Sequence, residues 1–336
     1  MFKDFVWNPA NCFSSARYIN RGGEQSFLQP TLSQRSFLYA FFFEGALASL
    51  QQLCDRYLNT PSKGRVHYRP ATHFVLVTFG ENPELRSQAP SQKDIGYVPE
   101  HEVIIWVLTM AGRQIGPLFW VDHLAWFTPY LFVDSSYAMA TGREVYGFPK
   151  EWGWVEMPTE PQQLDHLRVE TAVFPTFGPK VSATRQPVIS LERLNRDQPL
   201  SLKRLWRTQQ DCFQAITQEL FGENKEIVIP GLGLPIHGLF SLLTRSVPFV
   251  FLKQFRDAQH GRKPCYQAII EADTQLVKFR GGGLMDHPFK AHMNNFASHP
   301  IVNDFGLGGP SPPVKFAFWT EFDFTIEAGK EIVRMV

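Results

Sequence analysis

Most apolar stretches in this 336-residue chain are short and are bounded by polar residues, glycine or proline. This pattern is typical of β-strands. Strands are predicted over residues 36–43, 72–79, 102–110, 123–133, 152–156, 164–174, 248–255, 265–272 and 316–326. The stretch 102–110 is apolar almost throughout, which predicts that both of its faces are buried. In 316–326, apolar residues recur with the period of 2 that places them on one strand face.

Two stretches have helical periodicity instead. Apolar residues in 44–57 form one stripe. In 201–221, Ser201 and Gly222 are suitable caps for a second helix. Residues 80–96, the glycines 281–283 and residues 304–313 are predicted as loops or turns. Strands outnumber helices by about three to one and lack a regular βαβ rhythm, which predicts an α+β protein with a mostly antiparallel, barrel-like sheet.

Composition narrows the range of functions. The chain is 44% hydrophobic and 19% charged, with a net charge of +1, so we expect a sizeable core and no nucleic-acid partner. The sequence contains no run of about 20 apolar residues, the length that a membrane span needs, and the N-terminus lacks the apolar core of a signal peptide. The four cysteines form no CxxC pair, so reduced thiols in a cytoplasmic protein are expected. One domain over 1–336 is predicted, because no long linker and no internal repeat occur.

The best candidate for chemistry is Lys150, at the end of the aromatic, glycine-punctuated run 141–154. Tyr146, Phe148 and Trp152 flank it, and a buried pocket is the natural place for so much aromatic surface. An amine is nucleophilic only in its neutral form, which burial favours. The alternative is a lysine that lies along apolar surface and keeps its amine in water.

Several common catalytic signatures are absent from the sequence. It contains no G-x-S-x-G, Walker A or H-E-x-x-H motif. His287, His292 and His299 are close in sequence, but their spacing fits no single helical face. We therefore expect neither a metal site nor a cofactor.

Residues 132–150 carry the run D-x-x-x-A-x-A-x-G-R-E, followed by aromatic-Pro-Lys. This segment resembles the Schiff-base segment of the acetoacetate decarboxylase family. Residues 248–270 resemble a later strand pair of that family, and 36–57 resemble its early strand–helix unit. The resemblance implies a double-cone β-barrel with flanking helices, a homo-oligomer, and a helical insertion at about 197–245.

The resemblance also implies functions for individual residues. Lys150 would form a Schiff base with a small β-keto acid or a related carbonyl substrate, as in the activated-lysine enzymes. Glu102 would transfer protons, with Glu100 near the same place, and Arg35 would bind a substrate carboxylate. The adjacent Arg143 and Glu144 match the motif, and an ion pair between them would support the loop that carries Lys150.

One departure leaves the reaction open. Decarboxylases of the family have a second lysine directly after the Schiff-base lysine, whereas this chain has Glu151. A carboxylate in the pocket would stabilise the ammonium form of Lys150, but in an extended segment adjacent side chains point to opposite faces. Aldol or dehydration chemistry through a Schiff base is one alternative. A non-catalytic barrel that binds an apolar or keto-acid ligand is another.

Overall fold

The computed structural model describes residues 18–19, 26–158, 163–196, 206–221, 247–285 and 287–336. The strands are β1 (Thr31–Glu44), β2 (His67–Ser87), β3 (Val98–Ile115), β4 (Leu118–Val133), β5 (Lys150–Trp152), β6 (Trp154–Glu156), β7 (His166–Val173), β8 (Thr184–Arg193), β9 (Phe249–Arg256), β10 (Pro264–Ala272), β11 (Thr274–Leu284), β12 (Phe289–Met293), β13 (Phe316–Ile326) and β14 (Lys330–Arg334). The helices are α1 (Leu47–Cys54), α2 (Ser136–Thr141), α3 (Gln209–Phe221) and α4 (Ile301–Phe305). π-helical turns extend α1 over Asp55–Asn59 and α2 over Gly142–Tyr146.

The strands form two sheets. The large sheet has the order β11-β13-β1-β2-β3-β4-β9-β10-β14, with β5 added beside β4, and the small sheet has the order β12-β8-β7-β6. Pairing is antiparallel except where β4 meets β5 and β9. The predicted α+β class with a mostly antiparallel sheet is confirmed. Barrel closure stays a prediction, since the described residues contain no pairing between the outer strands β11 and β14.

The main core lies between the two sheets. On β1 the fully buried Tyr39, Phe41 and Phe43 alternate with residues of the opposite face, as the period of a strand requires. The ring of Phe41 meets that of Phe289 on β12 edge-on, with centroids 5.1 Å apart. The predicted burial of both faces of β3 is confirmed over its central residues.

Two stretches predicted as loops belong to strands. Residues 80–87 continue β2, and Gly281–Gly283 lie inside β11. The glycines of β11 allow close packing: a Cβ on Gly282 would lie 2.9 Å from the Trp206 ring and 2.7 Å from the Trp319 carbonyl oxygen. They therefore mark a close approach of two segments rather than a turn.

The second predicted helix begins later than expected. Its described part is α3, which starts at Gln209, while Ser201 lies outside the described residues. Thr208 Oγ1 accepts a hydrogen bond from the Asp211 N–H, and Asp211 accepts one from the Thr208 N–H. This reciprocal capping box fixes the start of the helix. A single domain over 1–336, with an insertion at about 197–245, stays a prediction, as does the homo-oligomer.

None of the helices in the described residues is long and apolar enough to cross a membrane. Cys54, Cys212 and Cys265 are free thiols, and Cys12 lies outside the described part. Among the described side chains there is no cluster of three or more that could hold a metal ion.

We predict that Phe41→Ala lowers the free energy of unfolding by about 3–5 kcal/mol, because it leaves a cavity between the sheets. Urea denaturation measures the change. The control is Trp120→Ala, at an exposed position of β4, for which a change within about 0.5 kcal/mol is expected. Equal effects of the two substitutions would contradict this placement of the core.

Candidate active site

The segment that carries Lys150 is built from helix, turn and strand in succession. The Ser135 hydroxyl caps α2 by accepting from the Ala138 N–H. The π-helical turn after α2 ends at Gly147, which has a φ of 99°. A side chain is strained in that left-handed conformation, so glycine is required there. The chain then enters β5, whose parallel pairing places Lys150 opposite Leu131 of β4.

Gly142 makes room for the Lys150 side chain. Its backbone is ordinary right-handed helix, with φ −61° and ψ −46°, so no special conformation requires glycine. Instead, a Cβ at this position would lie 2.5 Å from Cδ of Lys150 and 2.8 Å from Cε. The methylene groups of Lys150 therefore occupy the space that a side chain at position 142 would need.

Arg143 and Glu144 do not form the predicted ion pair. Arg143 Nη1 donates to the carbonyl oxygen of Lys150 at 2.9 Å, while the Glu144 carboxylate accepts from the hydroxyl of Tyr18. Adjacent residues of a helical turn do not face each other, which explains their separate partners. Arg143 thus braces the backbone of Lys150.

The Lys150 side chain enters a cavity of about 230 Å³ on the face of the large sheet turned away from the small sheet. Lys150 is 7% exposed. Its neighbours in the wall are mainly apolar, among them Ile104, Phe249 and Phe322. The lysine is therefore a buried residue rather than one with its amine in water.

Two carboxylates of β3 lie in the same cavity. Glu100 is 4% exposed, and its Oε2 lies 3.3 Å from Lys150 Nζ. Its Oε1 accepts from Asn82 Nδ2 at 3.1 Å, and Asn82 Oδ1 accepts from the Ser33 hydroxyl at 3.2 Å. This chain of hydrogen bonds satisfies the buried Glu100 carboxylate and fixes its position.

Glu102, two residues along the same face of β3, is half-buried and lines the cavity. Burial, and then the negative charge of Glu100, raise the pKa of Glu102 from its usual 4.5 to about 7, against opposing effects of Lys150 and Asn82. A carboxyl group with this pKa can both donate and accept a proton near neutral pH.

The other predicted site residues are divided between the cavity and the surface. Tyr146 and Phe148 line the cavity. Trp152 is 40% exposed and is not part of the described wall. The Arg35 side chain is 59% exposed and pairs with Glu84, so the structure does not bring it to Lys150. Arg35 lies at a β-bulge with a positive φ of 57°, which turns its side chain away from the expected direction.

Glu151 points away from Lys150. Its carboxylate lies 2.9 Å from Nε2 of the buried His299, and its backbone pairs with Phe132 of β4. The alternation of the strand separates the two neighbours, because Lys150 faces the cavity and Glu151 faces the other side. The Glu151 carboxylate is therefore not placed in the cavity, where it would have stabilised the ammonium form of Lys150.

Sequence reasoning missed Ser33, Asn82 and the function of Gly142. Asn82 lies in residues 80–96, which were predicted as a loop, whereas the strand register places it opposite Glu100. Residues 80–87 are mainly polar and contain Pro83, so no local strand signal was available, and the pairing of Asn82 depends on the register of the sheet. For Gly142 the sequence held no signal either, since the contact with Lys150 depends on the fold.

Solved structures share this fold over nearly the whole chain. An acetoacetate decarboxylase from Legionella pneumophila is 13% identical, with a TM-score of 0.58, and the match covers 97% of this chain and 94% of that chain. The enduracididine biosynthesis enzyme MppR, complexed with the condensation product of pyruvate and imidazole 4-carboxaldehyde, is 12% identical, with a TM-score of 0.55 and coverage of 95% and 98%. An acetoacetate decarboxylase-like enzyme from Sphingomonas wittichii RW1 is 12% identical, with a TM-score of 0.51 and coverage of 90% and 92%.

These similarities define the fold as that of the acetoacetate decarboxylase-like enzymes. The resemblance inferred from residues 132–150 is thus confirmed at the level of the fold. No family model matches the sequence, and no curated protein matches it.

We predict that Gly142→Ala destabilises the protein by about 1–3 kcal/mol, because the new methyl group collides with the Lys150 stem. Without that contact, alanine in a helix would stabilise it by up to about 1 kcal/mol. The control is Gly309→Ala, whose added Cβ meets nothing within 4 Å. Urea denaturation distinguishes the two signs, and a stabilised Gly142→Ala variant would disprove the contact.

Proposed function

We propose that this protein is a Schiff-base-forming lyase in which Lys150 attacks the carbonyl group of a small β-keto acid or a related substrate. The observation that carries the proposal is the Lys150 amine in an apolar cavity, 3.3 Å from the Glu100 carboxylate and with Glu102 in the same wall. Support also comes from the fold neighbour MppR, which was solved in complex with pyruvate.

The first step needs a neutral amine. Glu100 accepts a proton from Lys150, whose nitrogen lone pair then attacks the carbonyl carbon while the π electrons of the C=O bond move to oxygen. After a proton moves from nitrogen to that oxygen, Glu102 in its protonated form supplies a second proton. Water then leaves and a protonated imine remains.

The protonated imine acts as an electron sink. In a β-keto acid, the bond between the α-carbon and the carboxylate breaks, carbon dioxide leaves, and the electron pair forms an enamine. Glu102, which gave up its proton when water left, takes up the proton that Glu100 received from Lys150 and delivers it to the enamine carbon. Water then hydrolyses the protonated imine to release a ketone and the Lys150 ammonium group.

The two carboxylates favour a second candidate reaction, of the aldolase or dehydratase type. Lys150 is the one cationic side chain in the cavity wall formed by described residues. A substrate carboxylate would therefore lie beside the carboxylates of Glu100 and Glu102 with no second cation to neutralise it. A base beside the imine suits removal of a proton from the neighbouring carbon, which starts aldol and dehydration chemistry. Release of carbon dioxide separates the first reaction from the second.

We expect borohydride to trap an irreversible adduct on Lys150 when the protein is incubated with acetoacetate or pyruvate. Peptide mass spectrometry locates the adduct, and its mass shows whether carbon dioxide has left. Lys150→Ala should give no adduct, whereas Lys290→Ala, at an exposed position of β12, should react like the wild type. Binding of these compounds without any adduct would favour the non-catalytic alternative.

We also expect turnover to depend on the protonation of Glu102. Its pKa of about 7 means that the proton-donating form is lost as the pH rises through 7, so the rate should fall above that pH. Glu102→Gln should lower kcat about 100-fold and remove this pH dependence. The matched control is Glu192→Gln, at an exposed position of β8, which should keep the wild-type profile measured from pH 5 to 9. An unchanged alkaline limb in Glu102→Gln would assign it to another group.

A further inference from the structure

A second, larger chamber adjoins the Lys150 cavity. It has a volume of about 360 Å³. The two spaces share six lining residues, namely Leu38, Thr78, Trp106, Phe249, Leu276 and Phe322. They are therefore neighbouring parts of one continuous interior face rather than separate sites.

One face of β3 changes from polar to apolar along this path. Glu100 and Glu102 lie at the Lys150 end, Ile104 and Trp106 follow, and Leu108 lies in the chamber. Since a strand rises about 3.3 Å per residue, the six steps from Glu102 to Leu108 span about 20 Å. A molecule lying along this face would meet charge at one end and hydrocarbon at the other.

Several polar side chains of the chamber wall already have partners within the protein. The Trp106 indole N–H donates to Thr78 Oγ1 at 2.9 Å, and the Thr320 hydroxyl donates to the Gly281 carbonyl oxygen at 3.1 Å. Burial raises the pKa of the Cys212 thiol to about 12, so it stays neutral. The wall therefore offers little to a polar ligand, whereas an apolar group loses nothing by entering.

Helix α3 forms one side of the chamber. Cys212, Phe213 and Ile216 face it from the helix. Before the helix, the Trp206 ring packs on Phe318, with ring centroids 5.6 Å apart. The backbone N–H of Trp206 donates to the Gly282 carbonyl oxygen. The sheet residues Leu76 and Leu108 also line the chamber, so both the helix and the sheet contribute apolar groups.

We infer that the substrate carries a long apolar substituent on its carbonyl carbon, and that this substituent occupies the chamber while the carbonyl group lies at Lys150. The inference rests on the proposed function of Lys150 for the chemistry, but binding of the substituent depends on the chamber alone.

The test compares 3-oxobutanoate, 3-oxooctanoate and 3-oxododecanoate as substrates and as partners in borohydride trapping. Each methylene buried contributes about 0.8 kcal/mol, so kcat/KM should rise about threefold to fourfold per methylene until the chamber is filled. The same kcat/KM for all three acids would overturn the inference while leaving the proposed function intact.

Cys212→Trp should fill the chamber from α3. We expect it to lower kcat/KM for 3-oxododecanoate at least tenfold and to leave 3-oxobutanoate unaffected. Cys265→Trp, at the exposed cysteine of β10, is the matched control and should change neither. Ile216→Trp is a second filling variant in case Cys212→Trp is poorly folded, which circular dichroism shows. A uniform loss for short and long acids would count against the chamber.

Binding of 2-dodecanone to Lys150→Ala separates the two hypotheses. Titration calorimetry should detect binding to Lys150→Ala that is lost in the Lys150→Ala, Cys212→Trp double variant. If the ketone binds in this way but no compound forms an adduct with the wild type, the chamber stands and the proposed function fails. If the ketone does not bind to Lys150→Ala, the chamber is not a binding site for apolar chains.

Discussion

The pairing of the Lys150 amine with the Glu100 carboxylate inside an apolar cavity is the interaction on which the site depends. Burying an ion costs several kcal/mol unless its partners are in place. Glu100 therefore needs both Lys150 and Asn82, at 3.3 and 3.1 Å. These three residues come from β5, β3 and β2, so the site forms only when those strands are in their native register. The same pairing allows a proton to move between the two groups without a large rearrangement.

The sheet also separates two neighbours of opposite charge, Lys150 and Glu151. Lys150 and Glu151 belong to a three-residue strand that pairs with β4, and they face different sides of the large sheet. His299 gives Glu151 a partner on the far side. A short strand thus presents a lysine to a cavity and an acid to a histidine, with the sheet between them. The sheet therefore separates the Glu151 carboxylate from the cavity that holds Lys150.

The features that depend on neighbouring residues in the sequence could be predicted from it. The strands β3 and β13 followed from apolar runs and period-2 alternation, and Lys150 followed from its aromatic neighbours together with the motif 132–150. The rest depended on contacts between distant segments. Gly281–Gly283 read as a turn because the Trp206 packing that requires them is nonlocal. Arg35 was assigned to the site from the family resemblance, and the bulge that redirects its side chain leaves no mark in the sequence. Asn82 was missed because the register of β2 against β3 is a property of the sheet.

Helix α3 meets the sheet through side chains such as Cys212 and Ile216, whereas Lys150 and its carboxylates belong to the strands and to the segment after α2. The helix that would help to select a substrate thus carries none of the groups that would transform it. Substitutions in α3 can accumulate without moving the reactive groups, so related proteins could diverge in the molecules they accept while keeping one reaction. The helix is therefore the natural place to alter selectivity by directed evolution.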